Sequence, residues 1–252
     1  LRIFYSISIE KDIYEKDIKP FPFRFLSDAK GSSRSISFLK VEIDEVPKNY
    51  KNSLEHYFLD LNLKKVNFFT DVSNYISYET GQPTHCYDSS MINEPVRLNF
   101  LNKSCEFETL LDKKIEVNAW DLVFCDKNNE VINLAGIVGS KNTACNEDTK
   151  SVIIECAHFD SELIIGKSVK YDINSDAAYK FERGVDFNCQ ESVLRRFIKL
   201  VSDHTLIRSM SYKAFEYERK LENKLSLDVN IINKIIGSDI SHSQYVKHLT
   251  KL

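Results

Sequence analysis

The chain has little glycine and proline, with seven and five residues among 252, and only one tryptophan. No run of about 18 apolar residues occurs, so the sequence predicts no membrane-spanning helix. The basic start, apolar stretch and small residues of a secretion leader are also missing. The six cysteines form no C-x-x-C pair. We therefore expect free thiols in a reducing cytoplasm.

Short signatures of several enzyme classes are missing as well. The sequence has no G-x-x-x-x-G-K-[ST] loop for nucleotide phosphates and no G-x-S-x-G turn that would carry a hydrolase serine. Ser73 or Ser175 would complete a Ser-His-acid set with His85 and Glu155, but serines near helix starts are more often caps. A net charge of −3 gives no global case for nucleic-acid binding, although it is compatible with a local basic patch.

The apolar pattern mixes two periods, which indicates an α+β fold of mixed or antiparallel sheets packed with helices. The predicted strands are Ser35–Ile43, Val96–Phe100, Ile115–Val117, Asp121–Cys125, Val131–Gly139 and Ser151–Phe159. Helical stripes occur at Leu54, Tyr57, Phe58 and Leu61, and again at Leu194, Phe197, Ile198 and Val201. Both stripes are predicted to be core.

Composition divides the chain into three predicted parts. Residues 1–32 combine an alternating strand at Leu1–Glu10 with an irregular linker, and residues 33–212 form the main domain. In residues 213–252, one helix ends at Gly237 and a capping box opens another at Ser241. Two short helices cannot close a core. We expect this tail to be a linker and the start of a further domain, and the chain to be a fragment of a longer polypeptide.

One short predicted helix is flanked by polar residues of different chemistry. Asp71 is predicted to cap its start, Gly81 to end it, and Pro83 to prevent its continuation. His85 is then held on a turn just past the helix end. An imidazole titrates near neutrality, so His85 is a candidate for binding or acid–base work. The alternative is a structural histidine with a satisfied hydrogen bond.

A second candidate is Glu155, which interrupts the apolar run Val152–Phe159. A buried, unpaired carboxylate is costly, so its presence there requires a partner or a purpose. The alternative is a glutamate that faces solvent from an edge strand. A metal site is a further possibility, because His85-Cys86 and Cys156-x-His158 offer four soft ligands. Adjacent ligands do not suit zinc spacing, so we predict no metal.

Seven blocks of the sequence together resemble one known family, the B3/B4 module of the bacterial phenylalanine–tRNA ligase beta subunit. Their order and spacing match over roughly residues 33–201, and the tail from Leu225 resembles the start of the B5 domain of that subunit. The blocks are Asp71-Val-Ser-Asn-Tyr75, Gly81-Gln-Pro-Thr-His-Cys-Tyr-Asp88, Leu134-Ala-Gly-Ile-Val-Gly139, Asn146-Glu-Asp-Thr149, Glu155-Cys-Ala-His-Phe159, Asn174-Ser-Asp-Ala177 and Phe181-Glu-Arg-Gly-Val-Asp186.

The resemblance implies editing, which is the hydrolysis of tyrosine mistakenly esterified to phenylalanine tRNA. A pocket that selects phenylalanine discriminates against an added hydroxyl by only ~10². A second site with a buried polar group that awaits the hydroxyl rejects phenylalanine, because that group would stay unpaired. The alternative within the same family is a structural or tRNA-docking module whose editing has decayed.

The family pattern also implies roles for single residues. Glu155 falls where a carboxylate receives the tyrosine phenol, and His85 falls beside the scissile ester, where it orients water or the terminal ribose. Whether His85 acts as a general base is left open. The other implied pocket residues are Ser73, Asn74, Ala135, Gly136, Ser175 and Ala177. Ala177 must be small, since a bulkier side chain would fill the amino-acid site.

The chain departs from the family pattern at a few positions. Serine replaces threonine at Ser73 and Ser175, the usual His-Ala-Phe becomes His85-Cys86-Tyr87, and the usual double glycine becomes Gly139-Ser140. None of these changes removes a hydrogen-bonding group that the chemistry needs. We therefore expect retained activity with looser packing around the substrate.

The resemblance also implies partners and cofactors. The implied partners are phenylalanine tRNA mischarged with tyrosine and the alpha subunit, in an alpha2-beta2 assembly in the cytoplasm and not at a membrane. No adenylate site is predicted here, so this fragment is expected to need no cofactor and not to aminoacylate. ATP and magnesium belong to the whole enzyme through its other subunit.

Overall fold

The structure is a computed structural model that describes residues 12–217 and 225–251. These residues fall into two compact units, one of residues 13–217 and the other of residue 12 with residues 225–251. The strand predicted at Leu1–Glu10 lies outside the described residues. The predicted boundaries after residues 32 and 212 stay predictions. In the described ranges, no helix has the length and apolar character needed to cross a bilayer.

The larger unit contains a first five-stranded sheet in the order β1-β12-β3-β11-β4. Its strands are β1 (Lys19–Pro20), β3 (Ser35–Ile43), β4 (His85–Asp88), β11 (Ser151–Ala157) and β12 (Ile207–Glu216). A second sheet has the order β10-β9-β8-β5-β2. It consists of β2 (Phe25–Ser27), β5 (Val96–Phe100), β8 (Leu122–Cys125), β9 (Val131–Leu134) and β10 (Val138–Gly139).

Each sheet is antiparallel except for one edge pair, β1 with β12 in the first sheet and β2 with β5 in the second. Strands β6 (Cys105–Glu108) and β7 (Lys114–Val117) form a separate antiparallel hairpin. The helices of this unit are α1 (Asn52–Asp60), α2 (Phe68–Thr80), α3 (Ser161–Ile164), α4 (Lys167–Tyr171), α5 (Asp176–Phe181) and α6 (Gln190–His204). The predicted α+β class is therefore confirmed.

Two hydrophobic cores lie on opposite faces of the first sheet, because successive residues of a strand point to opposite sides. In β11, Ile153 and Ala157 join a core shared with residues of the second sheet. The residues of β11 with the opposite parity, Val152, Ile154 and Cys156, join a core shared with α1, α2 and α6. Glu155 has the parity of Ile153 and Ala157, so this alternation directs its carboxyl between the two sheets.

Helix α2 begins earlier than its sequence suggests. Its N-cap is Asn67, whose side chain accepts a hydrogen bond from the Thr70 amide. The predicted cap at Asp71 is wrong, because Asp71 lies inside the helix and its buried carboxylate accepts from the Tyr50 hydroxyl at 2.6 Å. The helix ends at Gly81 in the left-handed conformation, with φ of 79°, as predicted.

The strands Ser35–Ile43 and Val96–Phe100 are confirmed residue for residue. The predicted single strand Val131–Gly139 is wrong, because Gly136 turns the chain with φ of 71° and splits it into the hairpin of β9 and β10. In the smaller unit, α7 (Val229–Ile236) ends at Gly237, and a capping box opens α8 (His242–Leu249), both as predicted.

Candidate functional site

A small cleft of about 50 Å³ opens in the larger unit, where strand ends of both sheets meet α5. Its walls are residues 83–85, which follow α2, and residues 136–139, which form the β9–β10 turn. The other lining residues are Asn133, Glu155, Phe159, Ala177 and Phe181. Four of the predicted site residues line it, namely His85, Gly136, Glu155 and Ala177.

His85 and Glu155 lie directly opposite each other on neighbouring antiparallel strands, so their side chains share one face of the sheet. The prediction that His85 lies on a turn is wrong, because β4 begins two residues after Pro83 and His85 is its first residue. The strand gives the imidazole a fixed direction that a turn would not provide.

Glu155 is buried, with 5% of its surface exposed, so the solvent-facing alternative is wrong. Its Oε2 accepts a hydrogen bond of 2.6 Å from the Tyr87 hydroxyl, which in turn accepts one of 2.9 Å from Asn133 Nδ2. Burial raises the pKa of the Glu155 carboxyl to about 7, although the Tyr87 hydrogen bond lowers it. A carboxylate acceptor with a pKa near neutrality is thus held in the cleft.

His85 has a buried Nε2 with no hydrogen-bond partner among the described residues. Burial lowers the pKa of the imidazole to about 4, so the ring is neutral at pH 7. The ring of Tyr87 lies edge-on to it, with centroids 4.4 Å apart. A buried polar atom without a partner is costly, and a water or a ligand in the cleft would satisfy it.

Glycines form the wall opposite His85. A Cβ added at Gly139 would lie 2.2 Å from His85 Cε1 and 2.4 Å from Nε2. A Cβ at Gly136 would lie 2.9 Å from Ile164 Cδ1 and 3.1 Å from Phe159 Cδ2, in addition to its positive φ. Backbone alone fits at these two positions, and Ala177 adds only a methyl group to the same cleft.

The other predicted residues lie around the cleft without lining it. Ser73 Oγ donates to the Thr84 carbonyl at 2.7 Å, and Ser175 Oγ donates to the Ile137 carbonyl at 2.7 Å, so each serine holds a lining residue. The described contacts of both serines do not include His85, which argues against a Ser-His pair. Ala135 is buried beside Gly136. Asn74 is exposed and lines a separate surface groove. The binding roles of these four residues stay predictions.

The sequence did not predict Tyr87 as the partner of Glu155, or Asn133 as the partner of Tyr87. A signal was present for each, since Tyr87 has the strand parity of His85 and Asn133 is an amide within an apolar strand. Tyr87 and Glu155 are 68 residues apart in the sequence, and Asn133 and Tyr87 are 46 residues apart. These contacts depend on strand pairing that the sequence alone does not give. Within residues 12–217 and 225–251, no group of three or more metal-ligating side chains occurs.

The raised pKa of Glu155 predicts a pH-dependent stability. The folded value of about 7 exceeds the ordinary 4.5, so the native state favours the protonated carboxyl. That stabilisation is present below pH 4.5 and is lost as the pH rises through 7. We expect Glu155→Gln, which cannot ionise, to gain about 1–3 kcal/mol in unfolding free energy relative to wild type between pH 5 and 8.5. Urea unfolding at several pH values measures this gain.

The control for that experiment is Glu162→Gln, because Glu162 is exposed. Its unfolding free energy should follow wild type at every pH. Parallel curves for Glu155→Gln and wild type over the whole range would contradict the prediction.

Two relatives of this chain share the name phenylalanine–tRNA ligase beta subunit. The chain is 31% identical over 214 residues to the phenylalanine–tRNA ligase beta subunit of Clostridium tetani, covering 84% of this chain and 26% of that protein. It is 30% identical over 192 residues to the protein of the same name in Bartonella henselae, covering 76% and 24%. The chain thus spans about a quarter of the length of these relatives.

A solved structure is also similar, the N-terminal fragment of the phenylalanyl-tRNA synthetase beta subunit of Pyrococcus horikoshii. The identity is 11% and the TM-score 0.48, over 95% of this chain and 66% of that one. Residues 38–205 match the family described as the B3/4 domain, which is more than half of the chain. The resemblance stated from the seven sequence blocks is therefore confirmed, and the chain belongs to the B3/4 domain family.

Proposed function

We propose that this chain hydrolyses tyrosine wrongly esterified to phenylalanine tRNA, as the editing part of a phenylalanine–tRNA ligase beta subunit. The observation that carries the proposal is that Glu155 and His85 are paired on neighbouring strands and line one cleft, where the Glu155 carboxyl is buried and His85 Nε2 has no hydrogen-bond partner among the described residues. The Glu155 carboxyl is suited to accept a hydrogen bond from a substrate hydroxyl, and His85 Nε2 is suited to bind the attacking water or the ester.

Selection follows from the hydrogen bonds of Glu155. Its Oε2 is held by Tyr87, whereas Oε1 has no hydrogen-bond partner within the described part of the chain. A tyrosine ring seated against Phe159 and Phe181 presents a hydroxyl to Oε1. A phenylalanine ring in the same place leaves that oxygen desolvated and unpaired, which costs about 1–3 kcal/mol. The site therefore favours the misacylated substrate over the correct one.

The chemistry needs only a positioned water. Water attacks the ester carbonyl, the bond to the ribose oxygen breaks, and the ribose oxygen leaves with a proton, which gives free tyrosine and tRNA. With a pKa of about 4, neutral His85 is a weak base at pH 7, so we assign it to holding the water or the ribose by a hydrogen bond through Nε2. Ser73 and Ser175 are committed to backbone carbonyls, in keeping with direct attack by water.

The proposed function also requires two partners, the tRNA and the alpha subunit. The substrate arrives as phenylalanine tRNA carrying tyrosine, made in the cytoplasm by an assembly with the alpha subunit. ATP and magnesium serve the synthesis of aminoacyl-tRNA in that assembly. We propose no cofactor for the hydrolysis step.

A deacylation assay with the whole alpha–beta enzyme tests the proposal. Tyrosyl-tRNA should be cleared faster than phenylalanyl-tRNA, and His85→Ala should slow the clearance of tyrosyl-tRNA by ~10², since misplacing a reacting group by about 1 Å has an effect of that size. The matched control is His56→Ala, because His56 is exposed on α1 outside the cleft. Equal rates for wild type and His85→Ala would instead favour a tRNA-docking module whose editing has decayed.

A further inference from the structure

The carboxyl of Glu155 already holds a phenol that belongs to the chain itself. Tyr87 donates to Oε2 at 2.6 Å, and Asn133 Nδ2 donates to the Tyr87 oxygen at 2.9 Å. All three side chains are at least nine-tenths buried. They come from β11, β4 and β9, so the row of hydrogen bonds links both sheets.

The direction of the hydrogen bonds in this row is fixed. A phenol has one proton, and because Tyr87 accepts from the Asn133 amide, its own proton points to Glu155. Burial, and then the charge of Glu155, raise the pKa of the Tyr87 phenol well above its ordinary value, so it stays a donor. Oε2 is therefore occupied as an acceptor.

The two ends of the row, Glu155 and Asn133, line the cleft, whereas Tyr87 between them does not. Tyr87 therefore holds the carboxyl from behind and leaves Oε1 as the oxygen available to a ligand. Because the rings of His85 and Tyr87 also pack against each other nearly at right angles, the same side chain supports both predicted catalytic residues.

We propose that Tyr87, fixed by Asn133, is a positioning residue that aims Oε1 of Glu155 at the hydroxyl of an aromatic ester substrate. The identity of that substrate rests on the proposed function, whereas the effect of Tyr87 on Glu155 does not. Without the phenol, Glu155 loses a hydrogen bond that favours its charged form, and its carboxyl gains rotational freedom.

The first test reads Glu155 directly in the unliganded chain. Carbon-13 NMR of labelled glutamate carboxyls gives its titration midpoint, with the signal assigned by its loss in Glu155→Gln. In Tyr87→Phe we expect the midpoint to rise by about one pH unit, because a hydrogen bond to a charged acceptor is lost. The matched control is Tyr75→Phe, which removes a phenol bonded to Glu79 on α2 and should leave the Glu155 midpoint in place.

The second test reads selectivity in the whole enzyme. At pH 7, Tyr87→Phe should lower the ratio of tyrosyl-tRNA to phenylalanyl-tRNA hydrolysis by ~10-fold, which corresponds to one hydrogen bond to a charged group. Raising the pH to 8.5 should restore part of the ratio, since Glu155 then ionises without help. A merely structural role for Tyr87 would not give this pH-dependent recovery. Asn133→Ala should shift the midpoint and the ratio in the same directions by less, and it serves if Tyr87→Phe does not fold.

Two results would overturn the inference. One is an unchanged Glu155 midpoint in both Tyr87→Phe and Asn133→Ala. The other is a higher tyrosine selectivity in Tyr87→Phe, which would mean that the internal phenol competes with the substrate for the carboxyl. If wild type shows no hydrolysis of tyrosyl-tRNA, the proposed function fails, but the NMR midpoints still decide whether Tyr87 positions Glu155.

Discussion

Replacing Glu155 by alanine is expected to abolish the preference for tyrosyl-tRNA over phenylalanyl-tRNA. In the proposed function the carboxyl is the buried acceptor for the substrate hydroxyl, and a hydrogen bond to a charged group contributes about 1.5–3 kcal/mol. The ratio of the two kcat/KM values should therefore fall by ~10- to 100-fold. Most of the loss should lie in the tyrosyl rate, because a phenylalanine ring never uses this oxygen. Steady-state deacylation of both aminoacyl-tRNAs measures the ratio.

Two variants sharpen this experiment. Glu155→Gln keeps one oxygen acceptor without charge, so it should retain an intermediate selectivity. Glu79→Ala is the matched control, because Glu79 also accepts from a tyrosine, Tyr75, but lies on α2 outside the cleft. Selective clearance of tyrosyl-tRNA by Glu155→Ala would show that the carboxyl does not read the hydroxyl.

Signals between near neighbours in sequence were enough to predict the ends of helices. Gly81 and Gly237 end α2 and α7 in the left-handed conformation, and Ser241 forms its capping box with Gln244, all within three or four residues. The start of α2 was mispredicted, since Asn67 and Asp71 are both good caps. The choice depends on Tyr50, which binds the Asp71 carboxylate from outside the helix.

In the candidate site too, features that depend on near neighbours in sequence were predicted, whereas contacts between distant residues were not. Strand alternation and cost of burial were enough to single out Glu155, because both depend only on its neighbours in β11. The partner that shares its proton network, Tyr87, is 68 residues away and is set by the pairing of β4 with β11. The family resemblance named Asn74, yet the structure turns its side chain outward. Consecutive helix residues point in different directions, so only one of Ser73 and Asn74 faces inward.

Gly139 shows how a glycine in a strand is explained only by the packed structure. A glycine inside a strand usually marks a bulge or a close approach by a ligand or another backbone. The close neighbour is instead the imidazole of His85. The backbone of Gly139 does not have a positive φ, so alanine is conformationally allowed there and the conflict is purely steric.

Replacing Gly139 by alanine is therefore expected to displace His85 and to slow hydrolysis of tyrosyl-tRNA about as much as His85→Ala. The added methyl carbon would lie 2.2 Å from Cε1 of the ring, so the imidazole must move, and a shift of about 1 Å at a reacting centre costs ~10² in rate. Overpacking should also lower the unfolding free energy by about 1–3 kcal/mol. Deacylation kinetics and urea unfolding measure the two effects.

The double variant Gly139→Ala with His85→Ala separates this steric cause from a general loss of structure. Once the imidazole is gone, the closest remaining neighbour of the methyl group is the end of the Leu110 side chain, with Cδ2 at 3.2 Å, so most of the added cost in stability and in rate should vanish. Such non-additivity is the signature of two residues in direct contact. If the costs of the two single changes simply add, Gly139 does not act through His85. The glycine would then serve the turn between β9 and β10 and not the position of the His85 ring.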